Sequence, residues 1–114
     1  MYSDRIRLRL EHIVENADRI GEYIAGKDFD AFASHRMTVD AVERCLARIT
    51  EAAVRIGEVA MNEIAPGVPM HVLRGFGNAL RHDYDKIDLG TVWATVKNDL
   101  PALRHACAQA LSEG

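Results

Sequence analysis

Between Arg74 and Tyr84 the chain reads RGFGNALRHDY, a run dense in groups that can bind phosphate or move protons. An imidazole gains and loses its proton near neutral pH, so His82 is suited to general acid and base work. A guanidinium grips a phosphate through two parallel hydrogen bonds, which makes Arg74 and Arg81 candidate phosphate clamps. Arg74, Asn78 and His82 follow one another at steps of four. Each such step drifts about 40° around a helix, so all three occupy one face. Together they could stabilise charge on a phosphate ester while a proton moves. Gly75 and Gly77 stand within the same helix, where each costs roughly 1 kcal/mol relative to alanine. A bare backbone there would have to serve some purpose.

These residues must be held by helices. From about Asp4 to Ala25, Ile6, Leu10, Ile13, Ala17, Ile20 and Ile24 recur at alternating spacings of four and three, one apolar face of a helix. DFDAFASH, Asp28 to His35, reads as a short helical turn whose Phe29 and Phe32 close one end of the bundle. Thr38 is expected to cap a long helix running to about Ile64, roughly 40 Å at 1.5 Å per residue. Its stripe is Val42, Cys45/Leu46, Ile49, Ala52/Ala53, Ile56 and Val59/Ala60. Pro66-Gly67 ends it, and Pro69 suits the first turn of the helix that carries His71 to about Asp83. A last helix is expected from about Leu89 to Leu111, kinked or split by Pro101. No alternating apolar and polar run suggests a strand. The expected fold is all-α, an antiparallel bundle of four to five helices in a single domain over residues 1–114. Residual apolar surface on the long helices points to a homodimer.

Composition narrows the function. The chain has 114 residues, a formal net charge of −3, and is 48% hydrophobic and 27% charged. That balance suits one globular core and not a uniformly basic nucleic-acid-binding body, so any RNA contact must be local. Cys45 and Cys107 lie far apart on apolar stretches without a C-x-x-C pair and read as reduced, buried thiols. His12, His35 and His105 lack partners at metal-ligand spacing, and no metal or other cofactor is expected. His71 reads as a solvent-facing or capping residue, and Trp93 as core or interface. The carboxylate pairs Asp28/Asp30 and Glu11/Glu15 read as solvated surface. No stretch is long enough to span a membrane and the N-terminus lacks a signal-peptide pattern, so a cytoplasmic protein without membrane attachment is expected.

The segments DFDAF, AVERCLARITEAA, GVPMHVLRGFGNALRHDYDKIDLGTVW and NDLPAL resemble the HepT-like family of the HEPN superfamily of small helical ribonucleases. The family signature is arginine, asparagine, three further residues, histidine, any residue and tyrosine. Asn78, His82 and Tyr84 occupy the asparagine, histidine and tyrosine positions. The arginine position is occupied by Gly77, a departure from the pattern. The resemblance implies a homodimeric, HEPN-like bundle in which arginine and histidine from two subunits meet and cut RNA without a metal. Histidine would assist attack by the ribose 2′-hydroxyl, and arginine would hold the phosphate. It further implies a toxin encoded beside a minimal nucleotidyltransferase antitoxin, which silences it by adding AMP to the tyrosine, here Tyr84.

Gly77 shifts the clamp to a neighbouring residue. Arg74 lies three positions before it and Arg81 four after it, on roughly the same face. Helical side chains lean toward the N-terminus, so the Arg81 guanidinium would cover the space that Gly77 leaves. The expected function is therefore a metal-independent endoribonuclease toxin acting on RNA, with tRNA a candidate substrate. His82 would move the proton, Arg81 or else Arg74 would clamp phosphate, Asn78 would position the site, and Tyr84 would be the control point. The runner-up is a catalytically inactive family member that binds nucleotide, RNA or a partner protein. A third reading is a purely structural helical subunit.

Overall fold

A computed structural model describes residues 2–68, 70–82 and 87–113, with Arg81 and His82 described by their backbone alone. Tyr84 and the expected helix-starting Pro69 lie outside the described residues. Every element among them is helical. They are α1 (Asp4–Ile24), α2 (Phe29–Ser34), α3 (Arg36–Ile56), α4 (Glu58–Ile64), α5 (Met70–His82), α6 (Leu89–Ala94) and α7 (Leu100–Glu113). A π-helical turn, Thr95–Asp99, joins α6 to α7.

The first helix begins where Ser3 supplies an N-cap, its hydroxyl accepting from the Ile6 N–H at 3.2 Å. The expected stripe faces inward, with Leu10, Ile13, Ala17 and Ile20 all buried. Asp28 caps α2 by accepting from the Ala31 N–H at 2.8 Å. Phe32 is fully buried and its ring lies 5.1 Å from that of Trp93, while Phe29 meets the same indole edge-on at 6.3 Å. The aromatics therefore close one end of the bundle, as their spacing suggests.

Two boundaries of the long helix differ from expectation. The cap is His35 and not Thr38: ring Nδ1 of His35 accepts from the Thr38 N–H at 3.2 Å and pairs with its hydroxyl at 2.7 Å. Thr38 is thereby the third helical residue, buried beneath its cap. At the other end the helix stops at Ile56, because Gly57 adopts φ +99°, ψ 157°, a region essentially reserved for glycine. The chain restarts as α4, turned so that Met61 is buried and Val59, expected inward, is 77% exposed. At 21 residues, α3 is about 32 Å long and not 40 Å.

The last helical run is divided as Pro101 suggests, into α6 and α7, by a π turn immediately before the proline. A proline in a helix lacks an N–H and crowds the carbonyl four residues back, here that of Lys97. The preceding π turn absorbs this: the Leu100 N–H bonds to the Thr95 carbonyl, five residues back.

Helix α3 is the central element, with α1 packed on one side and α5 on another, and α7 packed against α1. The directions alternate. Arg5 at the start of α1 donates from Nη1 to the Arg55 carbonyl in the last turn of α3 at 2.7 Å, and Arg7 donates to the Leu111 carbonyl near the end of α7 at 3.3 Å. Asp18 and Arg104 pair at 3.0 Å farther along the α1–α7 seam. Both cysteines are free and buried, as expected from their setting.

Candidate active site

Helix α5 carries the candidate residues, and its burial pattern fixes which face they occupy. Met70, Gly77 and Leu80 are buried, with Leu73 and Phe76 half-buried. His71, Arg74, Gly75 and Asn78 are exposed. Arg74 and Asn78, one turn apart, thus share the outer face that their spacing predicts. The helix continues through Arg81 and ends at His82, so His82 follows Asn78 by one more turn. Along the axis, Arg74 to His82 covers about 12 Å.

Arg74, Gly77 and Asn78 line a depression of about 210 Å³ between α5 and α3, together with Leu73 of α5 and Thr50 and Val54 of α3. Gly77 is buried there. Thr50 is buried and returns its hydroxyl to the Ala47 carbonyl at 3.0 Å, so it is a spent wall residue. Val54 is 38% exposed and forms part of the same wall. Neither residue was evident from the motif alone; their signal is the shared spacing of four on α3.

Arg74 has no carboxylate within ion-pair distance among the described residues. The placement of the Arg81 and His82 side chains, and the expected cover of Gly77 by Arg81, lie outside the described residues. Gly75 is exposed, and a Cβ built on it would meet nothing within 4 Å. Among the described residues, nothing outside the helix itself approaches the backbone closely at that point. His71 is exposed, as expected. Among the described residues no three His, Cys, Asp or Glu side chains converge as metal ligands, and no helix is long and apolar enough to cross a membrane.

Comparison with known proteins decides the family. The family described as Ribonuclease HepT-like matches residues 13–110, most of the chain and all of the α5 segment. The chain belongs to the HepT-like family. Its all-helical architecture is consistent with the HEPN-like bundle that membership entails. A candidate RNase of Methanocaldococcus jannaschii is 31% identical over 99 residues, covering 87% of this chain and 81% of the relative. A second candidate RNase of that organism is 32% identical over 99 residues, covering 87% of this chain and 90% of the relative. A protein of Thermococcus cleftensis named a probable ribonuclease HepT is 32% identical over 95 residues, covering 83% of this chain and 86% of the relative. No solved structure matches the chain. Gly77, where the signature set out above would have its arginine, is one of the residues lining the depression beside Arg74.

Proposed function

We propose that this HepT-like chain is a metal-independent endoribonuclease that acts as a homodimer. It would be the toxin of a two-component module whose other member is a minimal nucleotidyltransferase. The observation that carries the reading is the shared outer face of Arg74 and Asn78 on α5, on a helix that runs on through Arg81 to His82. In the proposed reaction His82 takes the proton of a ribose 2′-hydroxyl and the oxygen attacks the adjacent phosphorus. The bond to the 5′-oxygen breaks as the imidazolium so formed gives its proton to that oxygen, which leaves a 2′,3′-cyclic phosphate and a free 5′-hydroxyl. The Arg81 guanidinium, or failing it that of Arg74, offsets charge on the phosphoryl oxygens, and Asn78 orients the group. The attacking oxygen belongs to the substrate, so a metal-bound nucleophile is not required.

Membership of the family and the RNase names of the relatives support an RNA substrate, with tRNA the first to test. Tyr84 is proposed as the control point: addition of AMP by the partner would place bulk and negative charge beside a phosphate-binding site and repel RNA. Mass spectrometry after coexpression should find one AMP on the Tyr84 peptide, and an unmodified peptide would count against that role. The enzyme reading is tested by incubating total tRNA in EDTA with the parent protein and with His82→Ala. Cleavage by the parent alone supports it.

One observation favours a second reading. Gly77 stands where the family arginine is expected, and it is buried. A chain lacking that cation could bind RNA, a nucleotide or its partner without cutting. Intact tRNA with both proteins, together with retained binding, would favour this alternative.

A further inference from the structure

On the other side of the exposed ridge of α3 from the α5 depression, α1 and α3 enclose a cleft of about 550 Å³ with a mainly polar lining. Arg9 and Arg19 of α1 and Arg48 and Arg55 of α3 all face it, against two carboxylates, Glu15 and Glu51. Arg55 is paired with Glu51 at 3.1 Å. Arg9, Arg19 and Arg48 have no carboxylate within ion-pair distance among the described residues. In a chain with a formal net charge of −3, this is a local concentration of unneutralised positive charge.

The cleft also contains unsatisfied buried groups of both kinds. Asn16 is only 5% exposed; its Nδ2 donates to the His12 carbonyl at 2.8 Å, while its Oδ1 is buried without a partner. Arg9 Nε is likewise buried without a partner. One orphan needs a donor and the other an acceptor. A ribonucleotide supplies both: its 2′-hydroxyl can donate and its phosphate oxygens can accept.

The arginines are spread along the cleft. Ten residues separate Arg9 from Arg19, about 15 Å of helix. Because α1 and α3 run in opposite directions, Arg9 lies toward the Arg55 end, where Arg5 bonds to the Arg55 carbonyl. Arg19 lies toward Arg48, and both charges act on the buried Cys45 thiol. A span of about 15 Å exceeds one nucleotide; at about 3.4 Å of axis per nucleotide in a stacked strand it covers roughly four phosphates.

We infer that the α1–α3 cleft binds the sugar–phosphate backbone of a single RNA strand, with Arg9, Arg19 and Arg48 on phosphates and Asn16 on a ribose hydroxyl. The inference rests on the reading that this chain acts on RNA, and adds a binding surface separate from α5. Because both orphan atoms are buried, contact with them requires the Arg9 side chain to shift as the strand enters. Contacts along the cleft hold the RNA while the exposed edge of α3, where Glu51 and Val54 lie about 60° apart around the helix, separates it from the α5 face.

The test is fluorescence anisotropy with a labelled twelve-nucleotide RNA and the DNA of the same sequence, in EDTA. All proteins carry His82→Ala so that the RNA stays whole, and circular dichroism confirms folding. Arg19→Ala/Arg48→Ala, both exposed positions, should weaken RNA binding about tenfold or more. It should also lower the slope of log affinity against log salt by roughly 1.4, or 0.7 for each lost phosphate contact. The parent should prefer RNA to DNA, and Asn16→Leu should erase that preference. A charge-matched pair away from the cleft, Arg36→Ala/Arg104→Ala, should change binding less than twofold. Unchanged affinity and slope in the cleft pair, or an equal loss in the charge-matched pair, overturns the inference. Displacement of the RNA by AMP at equal nucleotide concentration overturns the strand and favours a free nucleotide. Failure of the nuclease reading is separable: a parent that cuts no RNA but binds it through the cleft refutes only that reading. A parent that cuts RNA and binds it independently of the cleft refutes only this inference.

Discussion

Gly77 on α5 and Val54 on α3 line one depression, and Arg74 stands beside them. The glycine is buried and the valine part-exposed, so the place where the HepT-like pattern has an arginine is a gap bounded by an apolar wall. If a neighbouring guanidinium serves in its stead, removing that residue should behave like loss of a transition-state donor. Arg81→Ala is expected to lower kcat by about 10²-fold, with KM nearly unchanged, in a gel assay of tRNA cleavage. Arg74→Ala should cost less, about tenfold. Adding Gly77→Arg to Arg81→Ala should restore part of the loss, since it returns a cation to the neighbouring helical position. Full activity in Arg81→Ala would remove that residue from the mechanism.

Homodimerisation gives a second prediction. Val72, Gly75 and Arg74 form an exposed part of α5, with Val72 54% exposed. If two copies meet on this face, Val72→Glu places an unpaired charge in the interface. Light scattering coupled to size exclusion should then show the dimer converted to monomer, with cleavage lost in parallel. A variant that remains dimeric and active would place the interface elsewhere.

The two glycines Gly57 and Gly75 should respond to alanine with opposite signs. Gly75 is helical and open, with nothing within 4 Å of an added Cβ, so Gly75→Ala should stabilise by up to about 1 kcal/mol. Gly57 has equally open space but φ +99°, which an L side chain tolerates poorly. Gly57→Ala should therefore cost about 1–3 kcal/mol. In thermal melts the first should raise Tm by a few degrees and the second should lower it by several. A loss of Tm in Gly75→Ala would indicate close approach by a second copy at that point.

Much of the bundle was legible because apolar spacing reports directly on burial: the α1 stripe and the Phe29/Phe32 end closure needed no knowledge of the tertiary fold. The misread features depend on local backbone geometry. The α3 stripe continues past Gly57 in the sequence, so periodicity alone carries the helix to Ile64, although a glycine two residues after Arg55 is also a helix-stop signal. The His35 cap was missed because threonine is the commoner capping residue, and only the structure shows a ring nitrogen reaching the Thr38 amide. Pro101 correctly marks where the last helical run divides, but that the division takes the form of a π turn ahead of it has no comparable sequence signal. At the site, steps of four placed Arg74 and Asn78 correctly on one face. The wall contributed by Thr50 and Val54 requires knowing how α3 lies against α5, which spacing on one helix does not give.

The buried thiols should make stability fall at alkaline pH. Burial pushes the Cys107 thiol up from its ordinary value of 9.0 to about 12, and burial raises Cys45 as well, partly offset by Arg48 and Arg19. Below pH 9 both the folded and unfolded forms keep these protons, and the stabilising contribution is complete. Between pH 9 and about 12 the unfolded chain releases the Cys107 proton while the folded chain retains it, so stability falls as pH rises. The Cys107 contribution to that slope approaches at most about 1.4 kcal/mol per pH unit. Denaturant midpoints at pH 8, 9.5 and 10.5 should therefore fall more steeply for the parent than for Cys107→Ala, even though the variant starts lower through the small cavity it creates. Parallel slopes in the two proteins would show that the alkaline loss comes from other groups.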